Sequence, residues 1–156
     1  MARKIAKPKA APAAAATSEL EVLHPERSLV LAGQAVTVRE YGNIEWLRLL
    51  PSAEPLVNAV AQMLDSAELP SYETALDCIT RHVDGLLPLI VQAVDKDMAW
   101  VETLDPGELE LLLMTWWGVN GHFFVKRATN RVGVAREEQR LAARLLASGG
   151  ARSTPP

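Results

Sequence analysis

The side chains able to do chemistry in this 156-residue chain are few and scattered. Histidines stand at His24, His82 and His122. A metal centre on one helix or hairpin needs ligands a turn or a strand step apart, and no pair of these has that spacing. The single cysteine, Cys78, excludes an internal disulfide and a cysteine zinc knuckle. Flanked by Asp77 and Ile79 in a helical stretch, it reads as a buried inert thiol rather than a nucleophile. Asp95-Lys96-Asp97 and the Asp77/Asp84 pair supply carboxylates in small groups, which read as solvated faces and helix caps. Neither a G-x-S-x-G elbow, a P-loop nor a G-x-G-x-x-G turn occurs, so nothing suggests acyl transfer or a phosphate cradle. These patterns predict a binding protein rather than an enzyme, with no cofactor and no metal.

The densest feature is aromatic. Of eight aromatic residues, four fall between Trp116 and Phe124, in the run WWGVNGHFF. At about 100° per residue, Leu109, Leu112, Leu113, Trp116, Trp117, Val119, Asn120, Phe123 and Phe124 fill one arc of roughly 160°. The opposite side holds Leu111, Met114, Gly118, Gly121 and Val125, so the helix is apolar nearly all round, and the two glycines would admit another backbone closely. Two readings of this stripe stand side by side. It is the central core helix of a small helical domain, or part of it lies exposed as a groove for an apolar partner helix. In the second reading the partner-binding residues are Trp117, Asn120 and Phe124, together with Trp46 or Trp100. Asn120, central in the arc, needs hydrogen-bond partners in either case and would fix helix register, because an unsatisfied buried amide costs about 1–3 kcal/mol.

The elements that must position this helix are legible in outline. Ser28–Ala32 and Ala35–Glu40 flank Gly33-Gln34 and predict a β-hairpin with a type II′ turn, Val36 and Val38 facing inward. Gly42-Asn43 offers a cap to a helix over 44–50 that Pro51 ends or kinks. Ser52 then caps a helix to Asp65, with Leu56, Val57, Val60, Met63 and Leu64 inward. After Glu68-Leu69-Pro70, Ser71 caps a helix ending near Gly85, and Pro88 sits in the first turn of another to about Val94. Asp105-Pro106-Gly107-Glu108 is the clearest helix start, with Asp as cap, Pro at the first position and Glu at the third. The fold class is therefore mainly α (α+β): an N-terminal hairpin followed by a compact bundle of about five helices. Residues 19–132 form the single globular domain, after a disordered basic tail over 1–18 rich in Ala, Pro and Lys. Residues 133–156 read as a short helix, with Leu141, Leu145 and Leu146 in register, and a flexible tail.

Charge sharpens the partner class. The net −3 divides into +4 over residues 1–18, −9 over 19–132 and +2 over 133–156. An acidic body argues against nucleic acid, whose backbone is bound by clustered Lys and Arg. The most apolar window, Leu109–Val125, contains Glu110, Asn120 and His122, so no membrane span is expected. The basic start runs into Ala and Pro rather than a secretory apolar stretch, and one cysteine suits a reducing, cytosolic setting.

A hairpin ending in VREYG, then IEWLRLLP, DGLLPLIVQAV and WVETLDPGELELLLMTWWGVNGHFF, resembles the tail assembly chaperones of long-tailed phages, especially of Mu-like siphophages and prophages. The resemblance covers about residues 28–132. Its most specific part is the aspartate-capped helix leading to Trp117, Asn120 and Phe123, followed by Lys126, Arg127 and Arg131. It implies a protein of the host cytoplasm, absent from the mature virion, that binds the tape measure protein and keeps it soluble until tail tube polymerisation. The Arg-, Gly- and Ala-rich C-terminal segment would be a second contact, for the tail tube protein. The alternative is a structural tail component, a tube-associated or connector subunit assembling through the hairpin edge.

Overall fold

The structure is a computed structural model describing residues 26–66 and 71–149. The basic tail read over 1–18, the 150–156 part of the C-terminal tail, His24 and the Glu68-Leu69-Pro70 break lie outside the described residues. The described chain is mainly helical with one N-terminal hairpin: β1 (Arg27–Leu31) and β2 (Gln34–Val38) pair antiparallel, Leu31 opposite Gln34. Five helices follow: α1 (Asn43–Asp65), α2 (Tyr72–Arg81), α3 (Val83–Val94), α4 (Met98–Val101) and α5 (Pro106–Gly149).

The hairpin departs from expectation by one residue. The turn is Ala32-Gly33, both at positive φ (48° and 70°), the pattern of a type I′ rather than a type II′ turn. Alanine in the left-handed region is strained by about 1–2 kcal/mol. A contact remote in sequence steadies it: the Ala32 N–H donates to Glu108 Oε1 at 2.8 Å. The other oxygen of Glu108 accepts from the Asp105 N–H (3.1 Å), while Asp105 Oδ1 accepts from the Glu108 N–H (2.8 Å). The predicted cap of α5 thus also anchors the hairpin tip. Val36 and Val38 are buried and Thr37 is exposed, as alternation requires.

Among the described residues the helices number five, as expected, but they are not the same five. Pro51 and Pro55 lie inside α1, which runs unbroken from Asn43 to Asp65. A proline in a helix interior costs about 3 kcal/mol. Burial of Trp46, Ala53, Leu56, Val57, Val60 and Ala61 along one continuous face outweighs it, at about 1.5–3 kcal/mol per large apolar side chain. Ser52 therefore caps nothing. Ser71 does cap α2, its hydroxyl accepting from the Thr74 N–H at 3.2 Å. The α2–α3 junction falls at His82 rather than Gly85, and Pro88 lies inside α3. Asp95, in the left-handed conformation, ends α3.

The largest difference from the sequence reading lies at residue 133, after which a separate short helix is expected. Helix α5 continues through it to Gly149, about 66 Å at 1.5 Å per residue. Its middle runs parallel to α1, and ion pairs fasten the two. Arg131 donates to Glu54 Oε2 (2.6 Å) and to Asn58, Arg127 lies 3.8 Å from Glu54, and Arg136 bonds Asp65 Oδ1 at 2.9 Å. The basic cluster after the aromatic run is thus largely engaged with acids of the body.

Candidate functional site

The aromatic run is core. Trp116, Val119, Asn120 and Phe124 are buried, while Leu111, Gly118, His122 and Val125 on the opposite side are exposed. Phe124 touches Trp46 (ring centroids 4.9 Å) and Trp116 (5.4 Å) edge-on, and Phe123 stacks on Trp46 at 5.1 Å. Gly121 admits no second backbone: a Cβ there would stand 2.9 Å from the Trp117 ring of the same helix. This corrects the expectation of an exposed groove built from these side chains. Trp46 is only 8% exposed, and Asn120 and Phe124 are fully buried. Trp117 is half-buried against Trp116 and Phe124. Trp100 stands apart on α4, half-buried, with the Lys96 ammonium 5.7 Å from its ring centroid.

A polar node lies within this core. Asn120 Oδ1 accepts from the Tyr41 N–H at 3.0 Å, and its Nδ2 donates to the Arg39 carbonyl at 3.1 Å. The Tyr41 hydroxyl donates to the Leu89 carbonyl and accepts from Trp116 Nε1 at 2.8 Å. Burial pushes the Tyr41 phenol above its ordinary range, which keeps it protonated as the donor. These five residues tie the β2–α1 connection to α3 and α5.

A second node, Arg39 with Glu45, braces the same connection. Glu45 accepts two bonds from the Arg39 guanidinium (2.7 and 2.8 Å), one from Gln92 Nε2 (2.8 Å) and one from the Gly42 N–H (3.2 Å). Chiefly through Arg39, the Glu45 carboxyl is held down at about 2, below its ordinary 4.5. A depressed folded-state pKa contributes stability that is present above the unfolded value and lost as pH falls toward the folded one. Thermal stability should therefore decline between about pH 4.5 and 2 as this carboxylate protonates. Glu45→Gln should lower the melting temperature at pH 7 by roughly 3–6 °C and flatten that acid slope. An unchanged acid slope in the variant would assign the decline to other groups.

Among the described residues no three His, Cys, Asp or Glu side chains gather where a metal ion could sit. Half-burial pushes the Cys78 thiol up, away from the reactive thiolate. His82 Nδ1 lies 2.7 Å from the Cys78 carbonyl, and His122 Nε2 lies 2.9 Å from Glu40. No described helix is long and apolar enough to cross a membrane.

What the fold presents instead is the end of α5. Helix α1 stops at Asp65, level with Arg136 of α5. The thirteen residues from Glu137 to Gly149 run on about 20 Å further, and every residue from 133 to 149 is exposed. Val134, Leu141 and Leu145 lie within roughly 40° of one another, with Ala142 and Leu146 alongside and Arg140 and Arg144 on the other flank. Leu141, Leu145 and Leu146 are 50%, 72% and 79% exposed. Their register was readable in the sequence. That the helix holding them is continuous with the core, and so carries them beyond the body, was not.

A model described as a family of unknown function, DUF6631, matches residues 19–156. The chain belongs to DUF6631. The match spans position 133 without a break, as α5 does, so the projecting segment is part of the DUF6631 unit rather than an appendage to it. No curated protein and no solved structure matches this DUF6631 chain.

Proposed function

We propose that this chain is a non-catalytic helix-binding protein acting as a phage tail assembly chaperone. It binds the tape measure protein in the host cytoplasm, holds it soluble until the tail tube polymerises around it, and is left out of the virion. The observation that carries the reading is the projecting apolar stripe of α5, Val134, Leu141, Leu145 and Leu146, on a body whose Trp46, Trp116 and Phe124 are buried in the core. A long helical client would lay its own apolar face along such a stripe. The sequence resemblance over residues 28–132 supports the choice of client, and an acidic body would keep the complex dispersed.

Co-expression with the tape measure protein encoded nearby should raise the soluble yield of that protein several-fold and co-purify it. Leu141→Glu with Leu145→Glu should abolish both effects while leaving the melting temperature within about 2 °C, because these side chains contact nothing in the body. No gain in solubility with the native chain refutes the proposal. Many copies of the protein in purified virions would favour a structural tail subunit instead.

A further inference from the structure

We propose that, before any client arrives, the Val134, Leu141 and Leu145 line of the α5 stripe is covered by a second copy of this chain, the two projecting segments pairing antiparallel. The proposal goes beyond the tail-assembly reading and does not depend on it. Its first support is spacing. Val134, Glu138, Leu141, Leu145 and Ser148 alternate steps of four and three residues, the seam of a two-stranded coiled coil. All five are exposed, on a helix clear of its own body from Glu137 onward.

Charge complementarity selects both the occupant and the direction. In an antiparallel pair, setting Val134 against Leu145 of the second copy sets Leu141 against its Glu138, whose aliphatic stem can lie along the leucine while the carboxylate reaches water. The residues that precede the seam positions 138 and 145 are Glu137 and Arg144. In this register Glu137 of each copy faces Arg144 of the other, giving two symmetric ion pairs. A parallel in-register pair would instead place Glu137 beside Ala142 and Arg144 beside Gly149, with no ion pair. Within one chain Glu137 already has Arg140 at 3.6 Å, an exposed pair that contributes little and does not compete strongly.

The geometry leaves room for the bodies. Val132, where the core ends, falls opposite Ala147 of the second copy, so the two bodies sit at opposite ends of the paired segment. The seventeen residues a side from 133 to 149 fall short of the roughly 20–30 a side of a stable interface. The dimer should therefore be weak and exchanging, with a Kd on the order of 10 μM, which leaves the stripe available to a tighter partner.

Sedimentation equilibrium of the full-length protein from about 1 to 200 μM tests this. The expected result is a monomer–dimer equilibrium that Glu137→Arg or Arg144→Glu alone weakens at least tenfold, and that the double exchange restores to near the native value. Circular dichroism and melting of each variant check that the fold is kept. A protein monomeric throughout the range overturns the proposal, and so does a dimer indifferent to both exchanges. Binding of the monomer to vesicles containing phosphatidylglycerol, lost with Leu141→Glu, would assign the stripe to a membrane surface and overturn it as well. None of these outcomes depends on whether the tape measure protein is the client, which the co-expression experiment reads separately.

Discussion

Asn120→Leu is expected to destabilise the protein by about 2–5 kcal/mol, although leucine shares asparagine's branched skeleton and suits an apolar helix face better. The reason is what the substitution leaves behind. Both amide groups of Asn120 are engaged, one with the Tyr41 N–H and one with the Arg39 carbonyl. These backbone groups belong to the β2–α1 connection, outside any strand or helix. A buried donor or acceptor without a partner costs about 1–3 kcal/mol, and two are created at once. Against the 5–15 kcal/mol that holds a typical domain together, that is a large share. Urea unfolding followed by tryptophan fluorescence checks it. A loss below about 1 kcal/mol would mean that water or a rearranged connection satisfies Tyr41 and Arg39, and that Asn120 is not a structural pin.

Trp116→Ala is expected to be at least as severe, about 3–5 kcal/mol for an aromatic removed from a closed core. Trp116 is fully buried, meets Phe124 edge-on, and its indole N–H donates to the Tyr41 hydroxyl. Packing and hydrogen bonding can be separated. Trp116→Phe keeps much of the ring contact but leaves Tyr41 with one partner fewer. Tyr41→Phe removes the acceptor for Trp116 and the donor to the Leu89 carbonyl. If the bond between them matters, the two substitutions together should cost about 1 kcal/mol less than the sum of the separate losses, since residues sharing a network are not additive. Additive losses would reduce Trp116 to a space-filling role.

The periodicity of the chain identified most of the core. Val36 and Val38 face inward by alternation, Leu56, Val57 and Val60 by helical spacing, and Trp116 and Asn120 by their place at the centre of the apolar arc. Local chemistry marked the starts of α2 and α5, because Ser71, Asp105 and Glu108 bond to backbone groups within three residues. Local chemistry also misplaced several boundaries. Pro51 and Gly85 each carry a helix-breaking tendency of about 1–3 kcal/mol, yet Pro51 lies inside α1 and Gly85 inside α3. A continuous face packed on a neighbouring element outweighs a single residue's preference, and that neighbour is not visible from the residue itself.

The candidate site shows the same division. Side-chain types and spacing by themselves determined that this protein has an apolar aromatic helix with one amide at its centre, an acidic body, and three C-terminal leucines in helical register. Whether an apolar residue is core or surface depends on what else is near it in space. The tertiary structure turned Trp46, Asn120 and Phe124 inward against the hairpin and α1. It paired Arg127, Arg131 and Arg136 with the acids of α1, and it carried α5 past the end of that helix. The leucines are exposed because α1 ends at Asp65 while α5 does not, a difference in helix length that no local pattern encodes.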